Sequence, residues 1–421
     1  MQSKALNVGI SLAVAAFLAA MIYLLGSLSE GPAAGTSVVT APAPRSADEL
    51  AADARSLFQQ GMNSYEGKGV IKNLPKAAEC FRKAAELGHL QAHVWIGWCY
   101  LNGDGLAKDK VVAVDWFRKA AARGDARGQV QMAHCLQSGQ GVTKDLLEAF
   151  SWLQKAAGQG DAEAQSLLGY CYEEGEGCHK DPAKAFYWYE LSAKQGDLFG
   201  MTNLATCYSD GMGCAQDLAK GAEWFRKSAE AGEPFAQNNL GSAYMKGHGV
   251  VADRGQALFW FRKSYEQGNM IASHSLGVAY ELGHGVPIDL PKAFAYYKTS
   301  AERGYLLGLV DLGRCHRDGV GTTKDAKAAV GCFHAASFRG EASAQEQLAN
   351  CYRQGIGVAQ DLVEAFAFLN LAADKSESAR ASLAELERLM TAEQKTAGQR
   401  RAKDLHAEIT ASSEAKPLEY R

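Results

Sequence analysis

Residues 236–269 decide the fold, and they read AQNNLGSAYMKGHGVVADRGQALFWFRKSYEQGN. The Gly-x-Gly of this stretch recurs on a strict 36-residue spacing, and the nine copies begin at Gly67, Gly103, Gly139, Gly175, Gly211, Gly247, Gly283, Gly319 and Gly355. A further glycine (Gly268 here) and an Asp or Asn (Asp253 here) repeat on the same spacing without a register slip. Such a period predicts a solenoid, in which one short unit stacks on copies of itself.

Each unit is predicted to form two antiparallel helices. Ala164, Leu168 and Tyr172 lie on one face of a first helix, helix A, and Gly169 leaves room for a close helix contact. The Gly-x-Gly ends helix A, and the recurring Asp caps the N-terminus of helix B. Helix B carries five tryptophans that we expect in the core, Trp116, Trp152, Trp188, Trp224 and Trp260.

With these positions in place, the chain resembles the Sel-1-like repeat family, a relative of tetratricopeptide repeats. The family pattern A-x-x-x-L-G-x-x-Y-x-x-G-x-G-V-x-x-D-x-x-K-A-x-x-W-F-x-K-A-A-x-x-G-D matches Ala236–Asn269 almost throughout, and the resemblance runs from about Leu57 to Asp374. It implies an all-α, α/α superhelical solenoid of about nine 36-residue helix-turn-helix repeats. It also implies an adaptor or scaffold, because members share an architecture and not a reaction.

Composition agrees with one continuous helical array. The chain has 421 residues, an apolar share of 47% and only nine prolines. We expect the nine repeats at 47–376, capping helices at 377–411 and a disordered tail at 412–421. The net charge of −3, from 44 basic and 47 acidic residues, gives no electrostatic basis for binding DNA or RNA, so no nucleic-acid partner is expected.

The N-terminus predicts export and a membrane anchor. Val8 to Leu25 are 18 consecutive uncharged residues, nearly all apolar, and a helix over 7–28 is long enough to span a bilayer. Lys4 precedes this segment, so residues 1–6 are expected in the cytoplasm and the repeats outside it, on the periplasmic side of a bacterial inner membrane. The alternative is a signal sequence cleaved before Glu30, which would release an exported soluble protein.

Residues 29–46 read as a flexible linker, and Ser46 with Glu49 predicts a helix start near Ala47.

The ten cysteines are expected to be mostly free thiols. Six of them occupy a slot of helix A that other units fill with alanine, namely Cys99, Cys135, Cys171, Cys207, Cys315 and Cys351. Two pairs across a Gly-x-Gly, Cys171 with Cys178 and Cys207 with Cys214, stay open as possible bridges.

No catalytic, metal or cofactor site is predicted. The Gly-x-Gly copies follow helices, whereas phosphate-binding loops follow strands, so a nucleotide role is not expected. His248 and His284 share a loop slot without a third ligand at a defined spacing, which is typical of solvated side chains. The chain is therefore expected to be neither an enzyme nor a binder of a cofactor or small-molecule substrate.

The nine units form an internal alignment, and helix A contains slots that vary freely. These slots form one stripe, which lines the concave surface in helical-pair solenoids. Its apolar and arginine-rich ends supply the candidate partner-binding residues, which are Val94, Trp98, Leu101, His134, Tyr170, Arg314, Arg317 and Arg353. Exposed aromatic residues are typical anchors for a protein partner, and arginines suit carboxylates. The alternative for Trp95 or Trp98 is simple packing between neighbouring units.

The sequence thus predicts a membrane-anchored, extracytoplasmic scaffold that binds a protein partner along its concave face, in assembly or regulation of an envelope complex. The alternative function is a secreted repeat protein that acts on cell-wall material or modulates an enzyme of that material.

Overall fold

The structure is a computed structural model that describes residues 45–414. These residues form twenty α-helices and no β-strand. The helices are α1 (Ala47–Glu66), α2 (Leu74–Glu86), α3 (Leu90–Asn102), α4 (Lys110–Ala122), α5 (Ala126–Ser138), α6 (Leu146–Gly158), α7 (Ala162–Glu174), α8 (Pro182–Lys194), α9 (Leu198–Asp210), α10 (Leu218–Glu230), α11 (Pro234–Lys246), α12 (Arg254–Glu266), α13 (Met270–Leu282), α14 (Leu290–Glu302), α15 (Leu306–Asp318), α16 (Ala326–Ser337), α17 (Ala342–Gln354), α18 (Leu362–Ala372), α19 (Glu377–Leu389) and α20 (Ala392–Glu414).

The chain divides into two compact units, Met1–Ala52 and Asp53–Arg421. In the described part of the first unit, Ser46 and Glu49 form the predicted reciprocal cap at the start of α1. The predicted anchor at 7–28 and all but two residues of the predicted linker lie outside the described residues. Residues 412–414 of the predicted tail belong to α20, and the rest of that tail lies outside. None of the helices in 45–414 has the length and apolar character required to cross a membrane.

The second unit is the solenoid, in which odd-numbered helices are A helices and even-numbered helices are B helices through α18. From α2 to α19, each helix packs against the next helix in the chain, as predicted for antiparallel pairs. From α3 to α9 and from α11 to α17, A helices of successive repeats also contact one another, and B helices do not do so to the same extent. Because the A helices lie closer together, they form the inner, concave side of the array.

The predicted caps of the B helices are confirmed. The recurring side chain accepts a hydrogen bond from a backbone N–H of the first turn in all nine cases, at Asn73, Asp109, Asp145, Asp181, Asp217, Asp253, Asp289, Asp325 and Asp361. Acceptors such as Asp161 cap A helices in the same way. The repeat therefore fixes where both of its helices begin.

The two glycines of each Gly-x-Gly have different functions. Gly175 ends α7 in the left-handed conformation, at φ 78°. Gly177 also has a positive φ, of 70°, and a Cβ atom there would lie only 2.1 Å from the carbonyl oxygen of Leu146 in the preceding repeat. The second glycine thus allows the turn of one repeat to contact the start of the preceding B helix.

The core lies between the A and B helices, and it differs from the prediction in one respect. A Cβ atom at Gly169 would lie 2.7 Å from the ring of Tyr189, which confirms the predicted close approach. Trp116, Trp152, Trp188 and Trp224, which we expected in the core, are only partly buried, and Trp260 alone of the five is buried. The residue after each tryptophan is buried in all five repeats, because it faces helix A directly (Phe117, Leu153, Tyr189, Phe225, Phe261). Lysines lie over several of the indole rings, as Lys155 does over Trp152 at 3.9 Å.

A partly buried hydrogen-bonded pair joins helix A to the turn after helix B in several repeats. Gln237 donates to the carbonyl of Ala229 at 3.1 Å, and Gln267, thirty residues later, donates to Gln237 at 2.8 Å. In other repeats the same two slots hold Arg123 bonded to His93 and Arg303 bonded to Ser273. The hydrogen bond between the two glutamines links α11 to the turn after α12.

The last repeat is covered by α19 and α20, both of which pack against α18. Leu386, Met390, Ala402 and Leu405 join the apolar cluster around Phe366. Arg401 donates to Glu364 at 2.7 Å. The two helices therefore shield the exposed end of the apolar strip from water.

Candidate partner-binding groove

The concave face contains a pocket of about 310 Å³ at repeats 1 to 4. Its walls come mainly from α3 and from the first turns of α5 and α7, and they consist of Tyr65, Gln91, Val94, Trp95, Trp98, Asn102, Asp125, Arg127, Gln131 and Glu163. Gln91, Arg127 and Glu163 occupy the same slot in three successive repeats, the second residue of helix A. The pocket thus belongs to a groove that follows the A helices.

Two of the predicted site residues, Val94 and Trp98, lie in this pocket, with different degrees of burial. Val94 is only 6% exposed and belongs to the core, while Trp98 is partly buried with its ring edge-on to Phe117 at 6.1 Å. Trp95 stacks on Phe81 at 5.5 Å and therefore packs between repeats 1 and 2. Leu101 is partly buried against the same core cluster as Trp98.

The other residues predicted at this end bridge neighbouring repeats. His134 of α5 lies 3.5 Å from Glu163 of α7, an ion pair when the histidine is protonated, and it contributes to lowering the pKa of Glu163. Tyr170 of α7 is 37% exposed and its ring lies 6.4 Å from that of Phe199 of α9. Both contacts join the ninth residue of one A helix to the second residue of the next.

The predicted arginine end of the groove is already paired within the chain. Arg314 forms two hydrogen bonds to Glu281, at 2.8 and 2.6 Å, and a third to Asp311 at 3.0 Å. Asp311 also accepts from His274 at 2.7 Å, and Glu281 accepts from Tyr297 at 2.6 Å. This network connects α13 to α15 and compensates the charge of Arg314.

The pKa values of the two carboxyl groups reflect this pairing. The hydrogen bond from Arg314 lowers the pKa of Glu281 below its ordinary value. Burial alone would raise the pKa of Asp311, but the hydrogen bonds from His274 and Arg314 outweigh burial and lower it. Both groups are therefore held as carboxylates.

Arg317 and Arg353 also have partners in the chain. Arg317 forms two hydrogen bonds to Asp318, at 2.8 and 2.9 Å, and donates to Gln347 of the next repeat. Arg353 lies 3.8 Å from Glu385 of α19. Binding of a partner's carboxylate by these three arginines stays a prediction, and such a partner would have to compete with the internal acceptors.

Sequence reasoning missed an apolar row on the concave face. The second residue of helix A, polar in repeats 2 to 4, becomes apolar in the next four repeats, at Phe199, Phe235, Ile271 and Leu307. We call these four residues the apolar ridge. The internal alignment contained this signal, but the slot lies outside the stripe chosen from the sequence.

All ten cysteines are free thiols in the structure. The thiol of Cys178 donates to the backbone carbonyl of Cys171 at 3.3 Å, and Cys214 makes the same contact with Cys207 at 3.4 Å. Burial raises the pKa of Cys171 to about 12. In the part of the chain that the structure describes, no group of three or more His, Cys, Asp or Glu side chains could hold a metal ion.

Solved structures with this fold include a protective antigen present in uropathogenic Escherichia coli strains, which displays an SLR fold. It is 26% identical, with a TM-score of 0.50 over 90% of this chain and 98% of that chain. A Sel1 repeat protein from Oxalobacter formigenes is 29% identical, with a TM-score of 0.54 over 58% of this chain and 96% of that chain. No curated protein matches the chain.

The family model of the Sel1 repeat matches nine consecutive segments, 54–89, 90–125, 126–161, 162–197, 198–233, 234–269, 271–305, 307–337 and 342–377. They cover most of the chain and follow the observed helix pairs. The repeats in this family typically serve as non-catalytic scaffolds for protein partners. The chain therefore belongs to the Sel1 repeat family.

Proposed function

We propose that this protein is a membrane-tethered scaffold whose concave face binds a partner protein outside the cytoplasm, in assembly or regulation of an envelope complex. In this proposal the tether is the apolar segment at 7–28, and residues 29–46, rich in Gly, Pro, Ala and Ser, connect it to the solenoid. Lys4 before the segment and Glu30 after it support this orientation.

The observation that carries the binding proposal is the groove on the A helices. It combines partly exposed aromatic rings, at Trp98 and Tyr170, with polar side chains such as Arg127 and Gln131 along its walls. Aromatic anchors with a polar surround are typical of protein-binding surfaces. The groove extends over several repeats, so it suits an elongated segment of a protein better than a small molecule.

The test is site-specific photocrosslinking in the full-length protein within its native membrane. A photoreactive amino acid is placed at Tyr170 on helix A of repeat 4, or at Tyr187 on helix B of the same repeat. Tyr187 is 52% exposed, so it is a more accessible aromatic position than Tyr170 and serves as a matched control. We expect a discrete protein adduct from position 170 and none of that mass from position 187. The same adduct from both positions, or an adduct from position 187 alone, would contradict binding by the concave face.

A further inference from the structure

The apolar ridge is a row of solvent-accessible side chains. Phe199, Phe235 and Leu307 are 43%, 39% and 37% exposed, and Ile271 is partly exposed. The equivalent slot in repeats 2 to 4 lines the pocket on the concave face, which places the ridge on the same face. Four exposed or partly exposed apolar side chains in one slot of successive A helices form a row, and grouped apolar side chains at a surface mark interaction sites.

The spacing of the ridge fits a helix that runs along it. Packed A helices lie about 8 to 10 Å apart, so the ridge side chains recur at about that interval. Residues seven apart in an α-helix lie about 10.5 Å apart on nearly the same face. An extended strand covers that distance in three residues, and residues three apart in a strand face opposite sides. A strand therefore does not present side chains to the ridge at this spacing on one face. The full ridge spans about 30 Å, the length of a helix of about 20 residues.

Two hydroxyl groups on the A helices that carry the ridge donate hydrogen bonds within the solenoid. Thr206 donates to the carbonyl of Thr202 at 3.1 Å, and Ser275 donates to Asn238 at 3.1 Å. An extended segment would need partners for its backbone at this surface, whereas a helix satisfies its own backbone groups. A helical occupant therefore does not depend on backbone partners at this surface.

The charged side chains at one end of the ridge favour one orientation of a bound helix. Helix α7, at one end of the ridge, carries Glu163, Glu173 and Glu174 and has no lysine or arginine. All three lie three, four or seven residues from Tyr170, so they share its face of the helix. Tyr170 in turn contacts Phe199, the first residue of the ridge. Glu173 also accepts a hydrogen bond from Tyr189 at 2.6 Å, and Glu174 lies 3.5 Å from Lys180. The ridge thus ends at an aromatic ring on a helix that is acidic on balance.

We propose that the apolar ridge binds one amphipathic α-helix of the partner protein, with apolar residues at seven-residue spacing and lysine or arginine residues at the end that meets α7. This inference rests on the proposed function and specifies the partner segment. The apolar side chains supply most of the affinity, and the basic end fixes the direction in which the helix lies.

The experiment places the photoreactive amino acid at Phe235 of the full-length protein in its native membrane, with Phe259 on helix B of the same repeat as the control. Phe259 is 46% exposed, so the two positions are similarly accessible. Mass spectrometry of the adduct then identifies the crosslinked segment. We expect a segment of a different protein with the stated apolar spacing and a basic end, seen from position 235 and not from position 259.

A synthetic peptide of that segment provides the second measurement. F235E should weaken its binding to the full-length protein at least tenfold, and F259E should change it less than twofold. E174K should weaken binding and reduce its salt dependence, because it removes one carboxylate from the acidic end.

Several outcomes would overturn the inference. The first is a crosslinked segment that comes from residues 1–44 of this chain or from a second copy of it. The second is a segment that lacks the apolar spacing or has an acidic end. The third is an equal effect of F235E and F259E on the affinity for the peptide. Adducts from position 170 but none from position 235 would reject the helix on the ridge and leave the proposed function standing. Absence of a protein adduct from both positions would reject both.

Discussion

The glycines of the repeat differ in the space available for a Cβ atom. Gly196 has a φ of 90° with no atom within 4 Å of a Cβ atom, so G196A should cost only the left-handed backbone strain, about 1 to 2 kcal/mol. Gly177 has the same strain, and its Cβ atom would also clash with the carbonyl of Leu146. We expect G177A to lower the free energy of unfolding by about 3 kcal/mol or more. Denaturant unfolding of both variants checks this, and equal losses would show that the second glycine has no role between repeats.

A second prediction at residue scale concerns Glu281. Its pKa is lowered from 4.5 in the folded state, so the pairing with Arg314 stabilises the fold above that pH and is lost as the pH falls below it. E281Q should lower the free energy of unfolding by about 1 to 2 kcal/mol at pH 7 and by less near pH 3.5. Unfolding at several pH values measures this difference. E79Q, in an exposed pair with Lys83, is the control and should have no resolvable effect at pH 7. A loss for E281Q that does not depend on pH would contradict the account.

The residue types explain which features could be predicted from the sequence. The caps at Asp181 and the close approach at Gly169 follow from local chemistry within one unit, so the 36-residue pattern predicted both. The internal partners of Arg314 come from two different slots of two repeats, Glu281 and Asp311, and neither slot carries an acid in every unit. A single sequence cannot indicate which of these charges meet.

At the scale of helices, the pair Gln237 and Gln267 joins α11 to the turn after α12, and repeat 5 shows how the pair can be replaced. There the same slots hold Met201 and Ala231. We expect Q237M and Q267A each to destabilise the fold by about 1 kcal/mol, because each breaks the bond between the two side chains. The double variant copies the pair of repeat 5, so its cost should be about 1 kcal/mol less than the sum of the two. A double-mutant cycle in denaturant measures this coupling, and strict additivity would show that the two side chains are independent.

Helix-scale features also show where sequence reasoning failed. The tryptophans of helix B recur as regularly as the buried residues after them, so periodicity alone placed both in the core. The structure separates them in four of the five repeats, where the residue after the tryptophan is buried and the tryptophan is only partly buried. The apolar ridge was missed for a related reason, since it occupies one slot in only four of the repeats.

For the whole molecule, the apolar segment at 7–28 predicts that the mature protein keeps its N-terminus and stays with the membrane. A helix of this length and apolar character is stable in a bilayer, so alkaline extraction should leave the protein in the membrane fraction. Sequencing of the N-terminus of the mature protein provides the second readout. Mature chains that start near Glu30 would show that the segment is a cleaved signal.

The central claim is that the concave face of the solenoid binds a partner protein, and the affinity of that partner for three forms of the full-length protein tests it most directly. The forms are wild type, a W98A/Y170A variant of the groove, and a Y187A variant of the opposite face. If Trp98 and Tyr170 are anchors, W98A/Y170A should weaken binding by about 2 kcal/mol or more, roughly a thirtyfold rise in Kd, while its thermal transition moves little. Y187A should bind like wild type. Wild-type affinity of W98A/Y170A, or a large fall in its melting temperature that accounts for the loss, would contradict the claim.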